Sequence, residues 1–75
     1  MKKLVEVIAK SLVDNPDEVV VTQKADGRNI MIELHVAPSD MGKVIGKQGR
    51  IAKAIRAVVK AASTRENLKV DVEIV

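Results

Sequence analysis

The residues of this chain best suited to chemistry lie in one run, Val44-Ile45-Gly46-Lys47-Gln48-Gly49-Arg50-Ile51. Two glycines bracket two polar residues, and glycine lets a backbone turn sharply and lets another backbone approach closely. If a helix starts directly after Gly49, its first amides lack partners and, with the helix dipole, attract a phosphate. Lys43, Lys47, Arg50 and Lys53 supply charge around such a ligand. Ile45 and Ile51 flank the loop with apolar surface that bases could contact. The chemistry to expect is reversible capture of a sugar-phosphate strand, with its unstacked bases lying across an aliphatic groove.

The charge distribution agrees. The chain carries a net charge of +3, but residues 41–65 hold seven lysines and arginines and no acid. The remainder holds six basic and ten acidic residues, 6 − 10 = −4. A basic segment on an otherwise acidic body suits a polyanion, because phosphate neutralisation releases counterions. The bland alternative is a solvated helix face with ordinary lysines.

Other chemistries find little support. There is no cysteine, so disulfides and thiolate metal sites are impossible, and the single histidine, His35, cannot build a zinc site alone. No Ser/His/Asp or paired-carboxylate arrangement is placed for catalysis, so a non-enzyme without cofactor or metal is expected. Asp14, Asp17 and Glu18 read as a charge-paired turn, and Met31 and Met41 as packing or surface residues. A P-loop needs a longer loop and a Ser or Thr after its lysine, where Gln48 follows Lys47 here. Gly42 and Gly46 spell Gly-x-x-x-Gly, but a membrane dimer needs an apolar span, which is missing. Gly42 instead suggests close packing of a short helix against its neighbour. Residues 1–15 lack a long apolar core and a cleavage site, so no membrane association and a cytoplasmic location are expected.

The elements that must position the loop follow from periodicity. Leu4, Ile8 and Leu12, with Val5 and Ala9 beside them, predict an amphipathic helix over 2–14, ended by Asn15-Pro16-Asp17. Residues 18–25 are β-branched and read as a strand; residues 30–37 alternate, with Ile30, Ile32, Leu34 and Val36 opposite Met31, Glu33 and His35. The Asp26-Gly27 turn joins them as a hairpin. A short helix over 40–45, with Ser39 as N-cap and Asp40 near its positive end, carries Met41, Val44 and Ile45 inward. A second helix over 50–64 is expected to bury Ile51, Ala54, Ile55, Val58 and Ala62, with Lys53, Arg56 and Lys60 on another face. Residues 68–75 alternate again.

The two helices form a crossover that returns the chain parallel to the strand it left. The expected sheet has strand 30–37 in the middle, antiparallel to 18–25 and parallel to 68–75, with all three helices on one face. At 75 residues the whole chain, 1–75, is sized for one small domain, only marginally stable without packing or partners.

At Val44 to Ile51 the sequence resembles the KH domain family, close to its apolar-Ile-Gly-x-x-Gly-x-x-Ile pattern, with Ala52 three after Gly49 and the isoleucine at Ile51. The order helix, strand, strand, helix, helix, strand is similar to the type II, prokaryotic form over nearly the whole chain. The small size and Asn15-Pro16-Asp17 resemble the KhpA-type small bacterial RNA-binding proteins. The fold class implied is α+β, a type II KH domain with a three-stranded mixed sheet and three helices packed on one face. The resemblance implies single-stranded RNA as ligand, with Gly46 to Gly49 clamping the backbone and about four nucleotides in the groove. It also implies a homodimer, heterodimerisation with a larger KH-containing bacterial protein, and a role as post-transcriptional regulator or RNA chaperone.

The chain has no Phe, Tyr or Trp, so it cannot stack bases on aromatic rings. Weak, salt-sensitive, broadly specific binding by one copy is expected, raised if a dimer presents two grooves to one strand. Two other readings stay open. The chain could be a protein-interaction or dimerisation module using the 50–64 face, its basic surface incidental. Or the basic helix could bind duplex DNA, although it has few Asn or Gln residues to read base edges.

Overall fold

The structure is a computed structural model describing all 75 residues. The elements are α1 (Lys2–Leu12), β1 (Val20–Asp26), β2 (Asn29–His35), α2 (Met41–Ile45), α3 (Arg50–Arg65) and β3 (Lys69–Ile74), with 3₁₀ turns at Pro16–Glu18, Pro38–Asp40 and Lys47–Gly49. This is the expected order. The sheet runs β1-β2-β3, with β1 antiparallel and β3 parallel to β2.

One face of the sheet is covered. Val21, Ile32, Leu34 and Val72 point into a core completed by Val5 and Ala9 of α1, Val44 of α2, and Ile55 and Val59 of α3. The opposite face leaves Val20, Met31, His35 and Asp71 exposed. Because side chains alternate along a strand, one buried face fixes the register of all three strands. Ile32 and Leu34, on the central strand, are wholly enclosed. Truncating either to alanine should cost about 2–5 kcal/mol.

The hairpin turn is two residues long. Gly27 holds a φ of +61° at its first central position, where a primed turn needs a residue free to take positive φ.

Several local expectations shift. Helix α1 ends at Leu12, with Val13 extended, and a 3₁₀ turn delays β1 to Val20. Along α1, Val5 and Ala9 are the buried pair, while Leu12 is exposed. The face of α3 is rotated from the expected one. Ala52, Ile55, Val59 and Ser63 are buried, whereas Ala54 and Val58 are exposed and Ile51 and Ala62 are half-buried. Small side chains at 52 and 63 complete the buried stripe with Ile55 and Val59. The Ser63 hydroxyl donates to the Lys60 carbonyl, so its burial leaves no orphan donor. Ser39 makes no capping bond. Gly42 is not a packing glycine, since a Cβ there would meet nothing within 4 Å.

Candidate nucleic-acid interface

The loop between α2 and α3 is built from unusual backbone. Gly46 has φ +75°, Gln48 +57° and Gly49 +72°. The two glycines take positive φ freely, while Gln48 holds it as an ordinary residue that seldom does. The Gly49 amide donates to the Gly46 carbonyl at 3.2 Å, and the Arg50 amide to the Lys47 carbonyl. These bonds close the turn. The amides of Lys47 and Gln48 find no intramolecular acceptor, and both residues are exposed. The free donors therefore lie on the loop itself as well as in the first turn of α3. Together with that helix's positive end they form a site for an anion.

Gly46 is required twice. Beyond its φ, a Cβ there would lie 2.6 Å from Cγ1 of Ile51. Gly49 meets nothing within 4 Å, so only its φ favours glycine.

The side chains divide by what they touch. Lys47, Arg50 and Lys53 are exposed and make no ion pair, and Arg50 donates to the Gln48 side-chain carbonyl at 3.3 Å. Ile45 is 38% exposed beside the loop. Ile51 is half-buried, packed against the core beneath Gly46. Lys43 also departs from its expected part in free charge. Its amine bonds the Asp14 carboxylate and lies 3.5 Å from Asp40 Oδ1. The hydrogen bond to Asp14 holds that amine above the usual lysine range, although partial burial opposes it. Of the seven cations in 41–65, Lys43 is the one that is ion-paired.

Asp40 explains how the loop is carried. Its position in the sequence predicts a place at the positive end of α2. The side chain is instead buried, accepting the amides of Asp14 at 3.2 Å and Asn15 at 3.0 Å and the Asn15 side chain at 3.1 Å. Burial pushes its carboxyl up, but these bonds and Lys43 outweigh it and hold the pKa below the ordinary carboxylate range. The corner after α1 is thereby fastened to the start of α2. Nothing in sequence spacing signals this contact, which joins residues 25 and 26 positions apart.

Arg56 does more than add to the basic run. Its Nε donates to the Val72 carbonyl at 3.2 Å. Odd residues of β3 turn their backbone toward β2, as the bonds of Lys69 and Val75 show, so this carbonyl faces the open edge of the sheet. Arg56 and Lys60 line a cleft between α3 and β3 with Val70 and Val72. On the other flank of α3, Ile8, Leu12, Ile51, Ala54 and Val58 line an apolar groove of about 330 Å³ shared with α1. No helix is long and apolar enough to cross a membrane, and no group of three or more His, Asp or Glu could hold a metal ion.

Comparison with known proteins follows the same lines. A family model described as KhpA/KhpB, KH domain, matches residues 2–74. A protein of Clostridium acetobutylicum named RNA-binding protein KhpA is 65% identical over 75 residues, covering 100% of both chains. Proteins of the same name from Caldanaerobacter subterraneus and Aquifex aeolicus are 61% and 47% identical, over 100% and 94% of their lengths and 100% and 99% of this chain. Among solved structures, Era in complex with MgGDPNP and nucleotides 1506–1542 of 16S ribosomal RNA superposes with a TM-score of 0.60 at 20% identity. The match covers 97% of this chain and 28% of that one, and shows a shared fold.

Proposed function

The chain belongs to the KhpA/KhpB KH-domain family, and from that premise we propose that it binds single-stranded RNA through the Gly46–Gly49 loop. The observation that carries the reading is the pair of unpartnered amides, Lys47 and Gln48, on an exposed positive-φ turn beside the unpaired cations Lys47, Arg50 and Lys53. A phosphate seated there receives backbone hydrogen bonds and charge together. Ile45 offers the aliphatic surface over which a base can lie. The reading is of a binding protein acting in the cytoplasm as a post-transcriptional regulator or RNA chaperone. What the loop offers is donors and charge for an anion, not an acid–base pair.

The test is a charge reversal that costs the fold less than one at Gly46 would. Gly46 is a poor target because any side chain there strikes Ile51. Lys47→Glu combined with Gly49→Asp places two acids on an exposed turn, with open space at 49. Crosslinking of the variant to single-stranded RNA should fall to background while its circular dichroism is unchanged. Unchanged crosslinking in a folded variant would sink the reading. Competition with duplex DNA should displace little of the bound RNA.

A second reading, a dimerisation or interaction module, is favoured by the α1–α3 groove. Val58 is 48% exposed on an apolar surface with no partner within the chain. We propose a second copy of this chain as its occupant. The same helical face can meet itself across a two-fold axis, and a domain this small gains most from added burial. A larger KH-containing bacterial protein presenting the same face would form the heterodimer. Both readings hold together if the dimer presents two loops to one strand.

A further inference from the structure

Gln48 stands in backbone that its side chain does not favour. Its φ is +57° and its ψ 25°, between Gly46 at φ +75° and Gly49 at φ +72°. Two hydrogen bonds close the turn around it, from the Gly49 amide to the Gly46 carbonyl and from the Arg50 amide to the Lys47 carbonyl. Glycine meets such a left-handed position freely, and asparagine readily through its short polar side chain. Glutamine has neither advantage. The backbone at 48 therefore gives no reason for a glutamine, and what the residue contributes is its side chain. Strain of this kind collects at binding sites, where it serves the mechanism.

That side chain makes one hydrogen bond: Nη2 of Arg50 donates to Oε1 of Gln48 at 3.3 Å. Residues two apart on a helix point to different sides. Here the left-handed residues 48 and 49 fold the chain back before α3 begins, so the two side chains meet. Both are exposed, so the bond adds little to the stability of the fold. Its effect falls on Arg50. This first residue of α3 also borders the apolar α1–α3 groove, with Ile8, Leu12 and Val58. A long arginine stem packs readily on such a surface. The guanidinium carries five N–H donors, and the bond to Gln48 leaves the others for a phosphate oxygen.

Resting on the proposed RNA reading, we propose that Gln48 is a positioning residue: its side-chain carbonyl holds the Arg50 guanidinium at the Gly46–Gly49 loop, away from the apolar groove, ready for a phosphodiester oxygen. Gln48 acts through Arg50 and needs no RNA contact of its own. Binding is tighter when a long side chain is ordered before the ligand arrives. The left-handed strain at 48 is stability forgone for that preorganisation.

The test measures stability and affinity side by side on the full chain, by thermal melts and by fluorescence anisotropy with a labelled single-stranded RNA oligonucleotide. Gln48→Gly should raise Tm by on the order of 4 °C. It should also weaken RNA binding about two- to tenfold, the range set by ordering one long side chain on binding. Gln48→Asn accepts the same backbone without loosening the loop, but its amide is one methylene shorter. It should move both quantities in the same directions, which excludes loop flexibility as the cause. A merely structural glutamine would lower both together. In an Arg50→Gln background, Gln48→Gly should change affinity by less than about twofold. The slope of log affinity against log salt should stay at its wild-type value in Gln48→Gly, where the cation remains, and fall by about 0.7 in Arg50→Gln. The proposal is overturned if Gln48→Gly binds RNA as tightly as wild type, or if Tm falls together with affinity. A loss equally large in the Arg50→Gln background also overturns it, because Gln48 would then act on RNA directly. The loop variant Lys47→Glu/Gly49→Asp separates the two claims. If it abolishes binding while Gln48→Gly leaves it intact, the positioning role falls and the loop reading stands. If it binds RNA like wild type, both fall.

Discussion

Gly46 and Ile51 are in contact across the loop: a side chain at 46 would begin 2.6 Å from Ile51 Cγ1 and 2.9 Å from its Cβ and Cδ1. The two glycines of the motif are therefore not equivalent. Gly46→Ala meets both a backbone at φ +75° and ψ 175°, a region open essentially to glycine alone, and a collision, and should cost about 3–4 kcal/mol, the sum of backbone strain and overpacking. Gly49→Ala meets strain alone and should cost about 1–2 kcal/mol. Urea denaturation measures both. Ile51→Ala should relieve part of the Gly46→Ala cost, so the double mutant should be more stable than the sum of the singles. Additive costs would show that the contact carries no energy.

Asp40 gives the fold an acid-sensitive joint. Its folded pKa is depressed, so its stabilising contribution is present above its unfolded value, near 3.8, and is lost as pH falls through the lower folded value. Asp40→Asn keeps the shape but removes the charge and one full acceptor. It should lower Tm at pH 7 by on the order of 10 °C. The difference from wild type should shrink as pH drops toward 2. Thermal melts from pH 7 to pH 2 check this, and a difference that stays constant would exclude the ionised carboxylate as its cause.

Lys43 makes the opposite prediction at the alkaline end. Its folded pKa is raised, so its contribution is complete below its ordinary value near 10.5 and is lost as pH rises through the higher folded value. Lys43→Met should flatten the alkaline limb of the melting profile above that value. Its pair with Asp14 lies at the surface, so the effect at pH 7 should be small.

The same pairing sorts the cations of the site. Lys47→Gln, Arg50→Gln and Lys53→Gln should each reduce the salt dependence of RNA affinity by about 0.7 in the log–log slope, as expected for one phosphate contact on a single strand. Lys43→Gln should change it by much less, because Asp14 and Asp40 already neutralise that charge. Equal slopes for all four variants would contradict this division.

Val58 reports on self-association. It is exposed within the α1–α3 groove, so Val58→Asp should leave the monomer's stability within about 0.5 kcal/mol. Light scattering during gel filtration should show the wild-type chain at twice the monomer mass and the variant at the monomer mass. A variant that stays dimeric would place the interface elsewhere.

Local signals made much of this protein legible from its residues. Gly46 and Gly49 mark a turn because only a residue without Cβ takes positive φ freely, a property of the residue itself. The strand alternation at Ile30–Val36 and Leu68–Ile74 fixed which sheet face is buried, and the crossover rule fixed β2 in the centre. The acid-free segment 41–65 showed where charge collects. Tertiary structure alone decided how those charges are spent. Whether Lys43 is free depends on Asp14, 29 residues away, and whether Asp40 caps a helix or ties down a corner depends on Asn15, 25 residues away. The face of α3 was ambiguous for a similar reason. Its apolar residues span two stripes, and the one through Ala52, Ile55, Val59 and Ser63 is buried, leaving Ala54 and Val58 outside. Periodicity reports what a segment can bury; which surface it meets is set by residues far along the chain, through packing and desolvation that no spacing within the segment encodes.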